Sequence, residues 1–166
     1  TTMALTPACV EALDIPVITA GGVATGRQMA AALMLGGEAV YVGTRFLLSE
    51  ESPVLPEIKK YLAENATEMD TMILMRSFTN STRVYKNNVA KKVYAMEQEH
   101  CTFDDIKDDV AGKTASHMFF VTGDVENEGL ICVGESAGVI HDVLPVKQII
   151  DDMMAECVAT LSKFDA

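Results

Sequence analysis

The chain has 166 residues, 49% of them hydrophobic, which is enough to build the core of one domain. Its 24 acidic residues outnumber 13 basic ones and give a net charge of −11. Such a balance excludes nucleic acid or an anionic membrane as the main partner, because both repel a like-charged protein. No apolar run approaches the roughly 18 residues that span a bilayer. Thr1-Thr2-Met3 has no basic start leading into an apolar stretch, and the widely spaced Cys9, Cys101, Cys132 and Cys157 form no C-x-x-C pair. These features read as a cytoplasmic protein with reduced, buried thiols and no zinc site.

In chain order, the β-branched run Ile15–Ala20 predicts a strand buried on both faces, as in a parallel sheet, ending at Gly21-Gly22. Thr25 with Gln28 three residues on is a capping-box pattern that opens a helix through Met29–Leu35. Gly36-Gly37 supplies its stop. Ala39–Val42 predicts a second apolar strand closed by Gly43-Thr44, so that residues 15–42 form one β-α-β unit. Ser52-Pro53 predicts the start of a further helix running to about Asn65, with Leu55, Ile58 and Leu62 on one side.

Thr71–Phe78 fits a strand or an extended link, Val84–Glu99 has helical character, and Thr102–Val110 predicts a short acidic helix. Residues 123–138 are glycine-rich and irregular. Pro145 opens a closing helix whose Val146, Ile149, Ile150, Met153, Cys157 and Leu161 repeat at helical spacing. A two-stranded parallel sheet is not a stable domain by itself, so the sequence reads as incomplete.

The chemistry-bearing feature is the pair of turns Ala20-Gly21-Gly22 and Gly43-Thr44. If both close neighbouring parallel strands, they lie side by side, and glycines there let backbone N–H groups approach an anion closely, aided by the dipole of the Thr25 helix. A phosphate held after strands seven and eight is the recurrent arrangement of (β/α)₈ barrels. The plainer alternative is that these glycines only make tight strand-to-helix turns.

Longer stretches carry a resemblance. Ile15-Pro-Val-Ile-Thr-Ala-Gly-Gly-Val-Ala-Thr-Gly-Arg27, Ala30–Leu33, Leu35-Gly36 and Val42-Gly-Thr-Arg-Phe46 resemble the nitronate monooxygenase family, formerly called 2-nitropropane dioxygenase, which includes flavin-type enoyl-acyl-carrier-protein reductases. Met75-Arg-Ser-Phe78, Arg83-Val-Tyr-Lys-Asn87 and Gly134-Glu-Ser-Ala-Gly-Val-Ile140 extend the likeness. It runs through nearly the whole chain but covers only the last part of the family's pattern.

The resemblance implies an α/β fold: the C-terminal part of a TIM (β/α)₈ barrel, with Ile15–Ala20 and Ala39–Val42 as its last two strands, plus a mainly helical smaller domain. Residues 1–70 would be barrel, 71–144 a substrate-side domain and 145–166 a closing helix. It implies FMN as cofactor, with Gly21 and Gly22 binding the phosphate through backbone groups. Tyr41, Val42, Gly43 and Thr44 would line the second contact, the Thr44 hydroxyl acting as a donor. Arg83 and Asn87 match an Arg-Val-x-x-Asn stretch that serves equally well as a structural link.

Two departures from the family pattern stand out. Gly134-Glu135 replaces the usual Gly-Gln, and an acid near the flavin disfavours its anionic reduced form. The family's active-site histidine lies before this chain begins, and His100, His117 and His141 read as surface or loop residues, so no catalytic residue is expected here. The implied activity is oxidation of an alkyl nitronate by oxygen. The alternatives are nicotinamide-dependent reduction of an enoyl thioester, and a non-catalytic half-barrel that needs a partner, either the missing N-terminal half or another copy of itself. A small molecule is the expected substrate.

Overall fold

The computed structural model describes residues 1–164, so the last two residues of the predicted closing segment lie outside the described residues. The chain opens with helix α1 (Thr2–Ala12), which the sequence does not announce. Pro7 lies in its interior and Thr6 is its only buried residue, so no apolar stripe marks it. It packs through hydroxyls instead: Thr2 Oγ1 donates to the Gly21 carbonyl at 2.9 Å, and the Thr6 and Thr19 hydroxyls meet at 3.4 Å.

Strands β1 (Ile18–Ala20) and β2 (Ala39–Tyr41) are parallel neighbours, with Ile18 opposite Ala39 and Ala20 opposite Tyr41. They are shorter than the apolar runs suggest, and burial on both faces is not what the structure has. Thr19 is buried between α1 and Gly37, whereas Ile18 is 61% and Tyr41 72% exposed. Among the described residues no third strand pairs with either one, so their outward side chains have nothing to pack against.

Helix α2 (Gly26–Met34) joins the two strands as expected. The Thr25 hydroxyl accepts from Gln28 N at 3.3 Å while Gln28 Oε1 accepts from Thr25 N at 3.1 Å, and Gly36 at φ +93° provides the left-handed stop. Helix α2 lies against the closing helix, α8 (Val146–Leu161), at a contact that admits only glycine. A Cβ on Gly26 would fall 2.3 Å from the Met153 carbonyl oxygen. Helix α8 buries Ile149, Met153 and Cys157, whereas the expected Ile150 faces outward.

After β2 comes a four-residue helix, α3 (Thr44–Leu47), and then helix α4 (Pro56–Asn65). Its first-turn proline is Pro56, not Pro53. The residue before a proline is pushed out of the α region, and Leu55 accordingly sits at φ −50°, ψ 135°, so the helix cannot begin earlier. Ile58 and Leu62 are fully buried in the main core with Leu48, Met118, Ile131 and Ile140. The buried Lys59 ammonium donates to the Ser49, Glu50 and Ser52 carbonyls at 2.8, 3.1 and 3.0 Å, which fixes the turn after α3.

Residues 71–85 form an antiparallel hairpin of β3 (Thr71–Leu74) and β4 (Thr82–Tyr85). Val84 and Tyr85 thus end a strand rather than begin a helix. Tyr85 N is already committed to the Ile131 carbonyl at 2.8 Å, and helix α5 (Asn88–Gln98) starts only after the Asn87 cap. Helix α6 (Phe103–Val110), capped by Thr102, completes a second core around Leu74, Val84, Val93 and Ile106. Helix α7 (Gly112–His117) runs into a π-helical turn (Met118–Thr122), and a 3₁₀ turn (Glu135–Val139) leads back toward α8.

Candidate functional site

Because β1 and β2 are parallel and adjacent, the turns that follow them open on the same side. Gly21 (φ +89°) and Gly22 (φ +81°) are left-handed and need glycine for that reason. A Cβ on Gly22 would meet nothing within 4 Å, so its backbone faces open space. Gly43 is different in kind. Its φ of −107° suits any residue, and a Cβ there would also meet nothing within 4 Å. Neither conformation nor packing inside the chain demands glycine at 43. What glycine leaves there is bare peptide, open to a ligand that approaches closely.

Helix α3 begins at this point, its Phe46 and Leu47 amides bonded to the Gly43 carbonyl at 3.0 Å. Thr44 Oγ1 accepts from Gly134 N at 3.0 Å, which leaves the hydroxyl proton free to donate elsewhere. Ser136, 5% exposed, stands beside Gly134. Arg45 points the opposite way. It is buried and grips Asp142, with Nη1 on the backbone carbonyl at 3.1 Å and Nη2 on the carboxylate at 2.6 Å.

The N-terminus of α2 is not available to an anion in the way the sequence suggests. Glu156 of α8 closes it, accepting from Arg27 N at 3.3 Å and from the Arg27 side chain at 2.7 Å. Those bonds, the Arg27 side chain first, hold the Glu156 carboxyl below the usual carboxylate range. The open helix start beside the glycine turns is therefore that of α3.

A cleft of about 680 Å³ is lined by Gly21, Gly22, Gln28, Arg83, Gly134 and Glu135, together with the start of α1 and part of α2. Tyr41, Val42, Gly43 and Thr44 are not in its wall, although Thr44 is tied to it through Gly134. The Val42 side chain packs with Val23, Ile149 and Met153, so only its backbone is left for a ligand, and the Tyr41 ring is exposed at the end of β2.

The Arg-Val-x-x-Asn stretch divides into two roles. Asn87 is fully buried and fully used: Nδ2 donates to the Val125 and Gly129 carbonyls at 2.8 and 2.9 Å, and Oδ1 accepts from Ala90 N at 2.8 Å. Its role is structural. Arg83 lines the cleft, its Nη1 2.9 Å from Thr71 Oγ1 and 3.0 Å from Glu135 Oε1. Glu135 is thus an ion-paired acid.

His100, His117 and His141 are exposed, as expected, and none lines the cleft. Cys132 is exposed, contrary to the buried reading of the thiols, and all four cysteines are free. Among the described residues no group of three His, Cys, Asp or Glu is placed to hold a metal, and no helix is long and apolar enough to cross a membrane. The Thr44–Gly134 tie, the Glu156 cap and the Arg83–Glu135 pair escape sequence reasoning because each joins residues 50 or more positions apart.

The fold and these motifs have a family. The chain belongs to the nitronate monooxygenase family, whose model matches residues 1–156. Particular relatives differ in what they are named for. The hydroxy-methyl-oxo-octahydroindene carboxyl-CoA dehydrogenase of Rhodococcus jostii (strain RHA1) is 29% identical over 99% of the chain and 56% of its own length. A probable nitronate monooxygenase of Staphylococcus saprophyticus is 34% identical over 59% of the chain and 27% of its own length. The solved structure of FabK from Thermotoga maritima superposes with a TM-score of 0.89 at 39% identity, over 98% of the chain and 50% of FabK. The chain therefore spans about half the length of the relatives that it matches end to end.

Proposed function

We propose that this chain supplies the cofactor-anchoring end of an FMN-dependent oxidoreductase, as the last two strands of a (β/α)₈ barrel with their accompanying domain. The observation that carries this reading is Gly43, a glycine that neither its backbone angles nor its neighbours require, at the end of β2 beside the left-handed Gly21-Gly22 turn at the end of β1. Two such turns, followed by a short extra helix, suit a phosphate held by backbone N–H groups. Thr44 adds a free hydroxyl proton. These groups fit a flavin phosphate and its polar edge. The electron-transfer chemistry belongs to the cofactor, while the protein anchors it and shapes the cleft.

For the substrate, oxidation of an alkyl nitronate with oxygen is the reading favoured by the family and by its staphylococcal relative. A second reading is reduction of an enoyl thioester by a nicotinamide cofactor. It is favoured by the likeness to FabK along the whole chain and by a relative named for a carboxyl-CoA substrate. The test is anaerobic spectroscopy of the flavin-loaded, full-length protein. Bleaching by propyl nitronate with no response to NADH or NADPH is the outcome expected for the monooxygenase. Rapid bleaching by a nicotinamide supports the reductase instead, and failure to bind FMN at all removes both.

A third reading is that the chain works as an assembly module completed by a partner, either the N-terminal half of a barrel or a second copy. It is supported by the outer edges of β1 and β2, which pair with no further strand among the described residues.

A further inference from the structure

Arg83 is the one lysine or arginine among the described residues lining the cleft that holds Gly21 and Gly22. Its Nη1 makes both contacts, to Thr71 Oγ1 and to Glu135 Oε1, while Nη2 and Nε have no partner among the described residues. The guanidinium is thus oriented by β3 and by the 3₁₀ turn, with half of its planar fork open. Its side chain is 34% exposed and that of Glu135 is 61% exposed. A pair so exposed holds weakly, because water competes for both charges. A phosphate group can take two parallel N–H bonds from the fork where Glu135 takes one, so it can displace Glu135.

We infer that Arg83 is the recognition group for the phosphate ester of a second, organic substrate, with Glu135 as its resting counter-ion. The inference rests on the flavin reading above. The glycine turns offer backbone amides and a hydroxyl to the cofactor phosphate, so a second phosphate entering the same cleft needs a ligand of its own. A small nitronate carries no phosphate and gains nothing from Arg83. Two substrate classes share the required chemistry, nicotinamide dinucleotides and thioesters of phosphopantetheine. Glu135 makes the site selective, because an uncharged ligand leaves the pair intact and only an anion breaks it.

Calorimetric titration of the FMN-saturated full-length protein separates these sources, using ADP for the dinucleotide arm and phosphopantetheine for the thioester arm. Adenosine and pantetheine serve as the neutral controls. The wild type is expected to bind one of the two phosphorylated probes, and which one identifies the source. R83Q is expected to lose at least tenfold in affinity for that probe, with the neutral controls unchanged. E135Q, which leaves Arg83 in place and frees its fork, is expected to gain severalfold.

In these titrations, three results overturn the inference: neither phosphorylated probe binds the wild type, R83Q binds the probe as tightly as the wild type does, or E135Q binds it more weakly. FMN titration of the same proteins keeps the two ideas apart. If the wild type does not take up FMN, the flavin reading fails. If FMN binding is intact in all three proteins and the probes ignore Arg83, only the present inference fails. Loss of FMN from R83Q would instead assign Arg83 to the cofactor and overturn it as well.

Discussion

At the scale of single residues, Gly22 and Gly43 look alike in the sequence but test different things. Gly22 sits at φ +81°, so a side chain there is strained whatever binds nearby, at a cost of about 1–2 kcal/mol. Gly43 sits at an ordinary φ with open space where a Cβ would go. Gly43→Val is therefore expected to change thermal stability by no more than about 0.5 kcal/mol. The same substitution should weaken FMN binding by about tenfold or more, roughly 1.4 kcal/mol, because its side chain occupies the space the phosphate needs. Denaturation of the apo-protein and quenching of flavin fluorescence measure the two effects separately. Unchanged flavin affinity in Gly43→Val would count decisively against the phosphate site, whereas Gly22→Val mixes strain with crowding.

At the scale of elements, the packing of α2 on α8 depends on one carboxylate and one glycine. Gly26 lets the helices meet, and Glu156 then reaches the Gly26 and Arg27 amides that α2 leaves unpaired at its N-terminus. The folded-state pKa of Glu156 is depressed, chiefly by the Arg27 side chain and then by these amides. A depressed carboxylate stabilises the fold above its unfolded value and loses that contribution as pH falls through the lower, folded value. Glu156→Gln is expected to cost about 0.5–1 kcal/mol at neutral pH, a modest figure because the side chain is partly exposed. The gap between variant and wild type should close as pH drops below the ordinary glutamate value of 4.5. Urea titrations at several pH values measure it, and a gap that persists at acid pH would show that the carboxylate charge is not what caps α2.

At the scale of the whole molecule, apolar side chains are buried in three clusters, but others on the parallel sheet and on α8 stay exposed. Ile15, Ile18 and Tyr41 are 66%, 61% and 72% exposed, and Ile150, Met154 and Val158 form an outward stripe on α8 at 46%, 49% and 59%. Apolar surface of this extent favours association, since burying it removes it from water. The 166-residue chain alone is expected to elute from size-exclusion chromatography as an oligomer or bound to a partner, and without flavin. A monodisperse, yellow 17.9 kDa monomer would remove the assembly reading.

What the sequence determined by itself was mostly local. The capping box at Thr25–Gln28, the short acidic helix after Thr102, the glycine stop at Gly36 and the Ile149–Met153–Cys157 stripe act over one or two turns, so they are readable in order along the chain. The parallel pairing of β1 and β2, and with it the neighbouring glycine turns, was legible for the same reason. Helix α1 was not, because it packs through threonine hydroxyls rather than an apolar face, and β4 was not, because Tyr85 is claimed by the distant Ile131 carbonyl.

Tertiary structure alone decided how charge is distributed around the cleft. Glu156 closes the helix start that the sequence offered to a phosphate, Thr44 spends its lone pair on Gly134, and Arg83 neutralises the acid that stands where the family usually has glutamine. Each is a contact between residues far apart in the chain, fixed by how two packed elements happen to meet. Spacing along one strand or helix carries no trace of it.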